Sequence, residues 1–180
     1  MTVHRTPGEG RYAQVEREQR WLLPQLPEGL TEPASIVDRY VTGTRLRLRS
    51  VAAGGAATYK LGQKVRPEPD SPELVKLTNI YLTEQEYQVL HTLPGHELRK
   101  TRWRSASAAG RLVVDEFAHP LSGLVLAELE LRPGEAPEQA EPVWVDVSAD
   151  DRFSGGRLAV LSAADASILL RHAEALLRAV

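Results

Sequence analysis

A chain of 180 residues, 42% hydrophobic and 26% charged, has the length and composition of one soluble domain with a core of its own. The absence of cysteine excludes disulfides, thiolate metal sites and a cysteine nucleophile, and suits a cytoplasmic location. With a net charge of −2 the whole surface is no polyanion binder, and no apolar run has the length of a membrane span, so neither a membrane nor a nucleic acid is an expected partner.

Residues 1–10 read as a flexible tail, and 11–180 as a single domain. Short alternating segments then follow, broken by Gly, Pro, Asp and Ser clusters, and predict strands near 12–23, 35–41, 44–52, 56–65, 73–82, 97–107, 110–118, 123–132 and 143–147. Between the fifth and sixth, Thr83 with Glu86 three residues on is a capping box and predicts a helix over 84–93. The segment with Gly155 and Gly156 reads as a turn, with Arg152 before it a lesser candidate for the rim of a site. Ile168, Leu169, Ala173, Leu176 and Leu177 lie at helical spacing, so the chain ends in an amphipathic helix. So many short strands with few helices predict an α+β fold, mainly an eight-stranded antiparallel barrel with flanking helices.

Charge alternates along these strands. Glu16, Glu18 and Arg20 share one face of the first, and Arg45, Arg47 and Arg49 share one face of the third, opposite Leu46 and Leu48. Lys100, Arg102 and Arg104 repeat the pattern, as do Glu128 and Glu130 opposite leucines, while Asp115, Lys60 and Lys64 fall in further strands. One such strand alone is ordinary for a sheet with a wet face. Long cations and carboxylates on most strands, with few small polar residues among them, point instead to a barrel with a charged lumen. Such a lumen needs a polyanion for its cations and a hard divalent cation for its carboxylates. Oxygen ligands without cysteine, and five scattered histidines, favour magnesium or manganese over zinc.

In sequence order, "VEREQRWLL", "RLRLR", "YKLG", "KTRWR", "VVDEF" and "GLVLAELEL" resemble the CYTH superfamily of triphosphate tunnel metalloenzymes across about residues 12 to 160. Glu16, Glu18 and Arg20 match its E-x-E-x-K signature, with arginine in place of lysine; Arg47 and Arg49 match R-x-R, followed by Lys60. Lys100, Arg102 and Arg104 match K-x-R-x-K, Asp115 the Asp of the D-E-F segment, and Glu128 and Glu130 the late E-x-E. The resemblance implies an eight-stranded tunnel holding a triphosphate and a metal-dependent hydrolase acting on inorganic triphosphate or an organic triphosphate.

On that reading Arg20, Arg47, Arg49, Lys60, Lys76, Lys100, Arg102 and Arg104 bind phosphates. Glu16, Glu18, Asp115, Glu128 and Glu130 bind Mg2+ or Mn2+, with Glu16, Glu18, Asp115 and Glu130 serving the reaction. A departure stands in the middle of the chain. Relatives carry R-x-E-x-E after the first lysine, and the stretch taken to match it here reads Lys76, Thr78, Ile80, without carboxylates. This keeps a second reading open, a triphosphate- or polyphosphate-binding module with weak hydrolysis, and a third, a nucleotide cyclase, ranks lower because no purine pocket is visible. Removal of Arg49 or Arg102 is expected to relieve crowding among like charges.

Overall fold

The computed structural model describes residues 11–65, 74–105, 111–138 and 143–180, together with Pro7 and Glu141. The tail expected over 1–10 lies, apart from Pro7, outside these residues.

Nine strands form one sheet: β1 (Gln14–Leu23), β2 (Thr31–Val41), β3 (Leu46–Ala53), β4 (Ala56–Val65), β5 (Leu74–Leu82), β6 (Gly95–Arg104), β7 (Leu112–Phe117), β8 (Val125–Leu131) and β9 (Val145–Asp146). The spatial order is β5-β4-β3-β2-β6-β7-β8-β1-β9, all paired antiparallel, and a further β5–β1 pairing closes the first eight into a barrel. That seam is short, Gln14–Arg17 against Leu74–Leu77; farther along β1, Trp21 and Leu22 pair with β9 instead. Closure matters because it removes the sheet edges and gives the strands an inside.

Among the described residues three α-helices pack against the barrel. α1 (Glu84–His91) begins at the expected capping box, with the Thr83 hydroxyl accepting from the Glu86 amide and the Glu86 carboxylate accepting from the Thr83 amide. It packs on β3, β4 and β5, with Tyr87 buried against Tyr59 at a ring separation of 4.6 Å. The glycine pair read as a turn instead lies in a short helix, α2 (Gly155–Ala159), entered through a 3-10 turn at Asp151–Phe153. α3 (Ala163–Leu177) is the expected amphipathic C-terminal helix, capped by Ser162.

The apolar residues fall into two cores, and their rows explain why. On the outside of the barrel Trp21, Leu23, Val114, Ala127, Leu129 and Leu131 pack beneath Leu26, Leu30 and Trp144. The second core lies at one end of the interior. The inward rows of four strands change from charged to apolar there: Arg20 gives way to Leu22, Lys100 to Leu98, Asp115 to Phe117 and Glu128 to Leu126. These side chains join Phe153, Leu158, Leu169 and Ala173 from the C-terminal elements. The charged rows therefore end on an apolar floor. Phe153 is 1% exposed at its centre. Phe153→Ala should lower stability by about 3–5 kcal/mol, read as a lower denaturant midpoint at unchanged slope.

Candidate active site

Above the floor lies a cavity of about 640 Å³, lined by inward side chains of the strands and by Ser154, Gly155 and Gly156 of the C-terminal segment. Among the described residues ten basic side chains and four carboxylates line it, and Asp38, Asp115, Glu32 and Glu135 pair from outside the lining with Arg49, Lys100, Arg102, Arg104 and Arg111. The rows expected from alternation are the rows that meet. Glu16, Glu18, Arg20, Arg47, Arg49, Lys60, Lys100, Arg102, Arg104, Glu128 and Glu130 all border this one space, and Leu48 and Leu129 point away from it into packing. Leu46, expected outside, touches the cavity rim.

The interior charges form chains of ion pairs. Arg102 donates from Nε to Asp115 Oδ1 and from Nη2 to Oδ2, both at 2.7 Å, and Nη2 also reaches Glu128 Oε2 at 2.6 Å. Lys100 donates to the same Asp115. Arg20 donates to Glu128 Oε1 from Nε at 3.1 Å and Nη2 at 3.0 Å, and lies 3.7 Å from Glu18. Arginine at this position meets Glu128 with two nitrogens of its fork, where a lysine would offer a single point charge. Burial opposes the charge on Glu128, yet Lys100, Arg20 and Arg102 hold it well below the usual carboxylate range. Lys100 is pushed down, first by burial and then by Arg102 and Arg49, against the pull of Asp115.

A second anchor was not among the expected site residues. Asp38 of β2 is wholly buried and accepts from Arg49 Nε at 2.6 Å and Nη2 at 2.7 Å, with Arg47 Nε 3.5 Å away. Register puts it directly opposite Arg49. A lone aspartate in "SIVDRYV" carries no motif; its pairing across β3 is the only signal. Tyr40 and Gly155 are likewise new members of the site. A side chain at Gly155 would overlap the Tyr40 hydroxyl, so the glycine lets α2 approach the cavity wall.

Several expectations are corrected. Lys76 does not enter the cavity. It pairs in register with Val15 and Val65, whereas the inward row of β5 is set by Lys64↔Leu77, Gly62↔Asn79 and Lys60↔Tyr81. Leu77 and Asn79, not Thr78 and Ile80, border the lumen, and Ile80 is 55% exposed. The wall thus has no carboxylate, though one residue out of the register assumed. Asp115, expected to hold metal, is 1% exposed, does not border the cavity, and spends its oxygens on Lys100 and Arg102. Arg49 and Arg102 are not crowded cations awaiting relief, since each forks onto a buried carboxylate. Arg152 pairs with Asp150 and stays outside the lining.

No protein-family model and no curated protein matches the sequence. Among solved structures the chain is similar to two of the protein NE1496. One, described as an inorganic triphosphatase, aligns at 21% identity and a TM-score of 0.54 over 82% of this chain and 95% of that one. The other, described as a hypothetical protein, aligns at 22% and 0.55 over 81% and 98%. This chain shares their fold.

Asp38 gives the site a measurable signature in acid. Burial would raise its pKa, but the hydrogen bonds and charge of Arg49, aided by Arg47 and Lys100, bring it down to about 2. A carboxyl depressed on folding stabilises the protein above its unfolded pKa of about 4, and that contribution, roughly 2 kcal/mol, is lost as pH falls toward 2. Asp38→Asn should remove this part of the acid limb in urea melts. At neutral pH it should cost about 3–5 kcal/mol, because Arg49 is left buried without its partner.

Proposed function

We propose that the cavity binds the triphosphate group of inorganic tripolyphosphate or of an organic triphosphate, and that the chain hydrolyses a phosphoanhydride there with Mg2+ or Mn2+. The convergence of these basic side chains on one cavity, with Arg47 and Lys60 hydrogen-bonded to no carboxylate among the described residues, carries this reading. Cations left so in a half-enclosed space are unfavourable, and a compact polyanion relieves them. The fold shared with NE1496 adds support.

The basic residues divide by how firmly they are held. Arg20, Arg49, Lys100 and Arg102 are tied to carboxylates and form a rigid charged layer above the apolar floor, and its field acts on the phosphates. Arg47 has a buried Nε without a hydrogen-bond partner, and Lys60 lies 4.9 Å over the Tyr81 ring. These two are placed to turn onto phosphate oxygens, Arg47 with a planar fork and Lys60 as a point charge.

The acidic residues fit a divalent cation only in part. Asp115 and Glu128 are consumed by arginine and lysine, which leaves Glu16, Glu18 and Glu130. Glu18 and Glu130 are directly opposite across β1 and β8. Glu16 has its pKa raised, first by burial, against the pull of Lys64 and with Glu18 and Glu130 adding to the rise. Neighbouring carboxylates of this kind suit a shared cation. Among the described residues, however, no three acidic or histidine side chains converge as a ready ion site. Glu16, Glu18 and Glu130 would hold the ion together with oxygens of the substrate. When bound, the ion polarises a phosphoryl group and assists attack by water. Glu130, which makes no ion pair among the described residues, is the carboxylate placed to orient that water.

The uncharged wall at Leu77 and Asn79 supports a second reading, a binding module that hydrolyses slowly. Phosphate release from tripolyphosphate and a panel of nucleoside and other organic triphosphates, with magnesium or manganese, separates the two; cyclic nucleotide with pyrophosphate as products would indicate a cyclase. Orthophosphate is the expected product. Arg47→Ala should weaken tripolyphosphate binding by calorimetry by about 10- to 100-fold, the loss of one charged hydrogen-bond donor. Normal binding in that variant would remove the cavity from consideration as the phosphate site.

A further inference from the structure

One cation in the cavity sits on a pair of carboxylates. Lys64 of β4 reaches across β5, and its Nζ lies 3.1 Å from Glu18 Oε1 and 3.7 Å from Glu16 Oε2. It can do so because the intervening inward side chain is Leu77, its direct partner in register, which offers no competing acceptor. Its side chain is 30% exposed, so it is held by two carboxylates and not by packing. The firmly buried cations differ: Lys100 and Arg102 are locked on Asp115.

We propose that Lys64 is a built-in competitor of the divalent cation, its ammonium neutralising Glu16 and Glu18 in the ligand-free protein and moving to the phosphates when a triphosphate enters, which frees the pair for metal. The proposal rests on the triphosphate reading of the cavity. Two cations cannot share these oxygens cheaply, since an ammonium and a divalent ion at one carboxylate pair repel at short range. Entry of a triphosphate offers Lys64 oxygens of higher charge, and linkage then requires that anion and metal each strengthen the binding of the other.

The test reads binding in the absence of turnover. Mn2+ is titrated into the full-length, triphosphate-free protein and followed by calorimetry and by the paramagnetic resonance signal of free Mn2+. Lys64→Met should bind Mn2+ at least about tenfold more tightly than the wild type, and Lys64→Arg should keep the weak wild-type affinity. In a second titration, with chelator present, tripolyphosphate should bind Lys64→Met several-fold more weakly than the wild type. A lysine that merely supported the fold would not move the two affinities in opposite directions. Lys64→Gln gives the same comparison should the methionine variant melt early. Equal Mn2+ affinity in wild type, Lys64→Met and Lys64→Gln overturns the proposal. Failure of tripolyphosphate to bind the wild type, with Mn2+ affinity still raised in the variants, defeats the triphosphate reading and leaves Lys64 a competitor of metal only.

Discussion

Arginines can be buried inside a closed barrel only where carboxylates meet them, and here Asp38, Asp115 and Glu128 do so. Each accepts from a guanidinium: Asp38 from Arg49, Asp115 from Arg102, and Glu128 from Arg20 and Arg102. Removing either partner of such a pair leaves a charge without solvent or counter-ion, which costs more than the pair contributes. The acids therefore act as foundations for the basic lumen. They set the orientation of the cations before any ligand arrives, which favours electrostatic recognition without reorganisation.

That arrangement redistributes the roles among the acidic residues. Asp115 and Glu128 serve arginine and lysine of the central strands, Glu16 and Glu18 meet Lys64, and Glu130 makes no ion pair among the described residues. The apolar floor sharpens the division. Leu22, Leu98, Phe117 and Leu126 continue the same inward rows that carry Arg20, Lys100, Asp115 and Glu128, so low-dielectric packing lies directly beneath the ion pairs. Charge interactions are stronger over such a floor than on an open sheet.

The wall made by β5 distinguishes this cavity. With Leu77 and Asn79 facing inward, the side between β4 and β1 carries no charge of its own, and Lys64 crosses it to Glu16 and Glu18. A carboxylate at Leu77 would pair with Lys64 across the register and release the β1 glutamates. The neutral wall and the position of Lys64 are therefore linked features of one site.

Alternation along single strands was legible in the sequence, because a strand's two faces are set by covalent geometry and the polar row is visible wherever leucines fill the other. That determined the charged rows of β1, β3, β6 and β8, the barrel, the capped α1 and the amphipathic α3. It could not determine β5, where "LVKLTNIYL" places apolar residues on both faces, so only pairing with β4 and β1 decided that Lys76 faces out and Asn79 in. Nor could it reveal Asp38, whose importance lies in a cross-strand partner 11 residues away, or the fate of Asp115, whose oxygens are claimed by two cations of β6. Which charges attract a ligand and which satisfy one another depends on distances between strands. Those distances exist only once the barrel has closed.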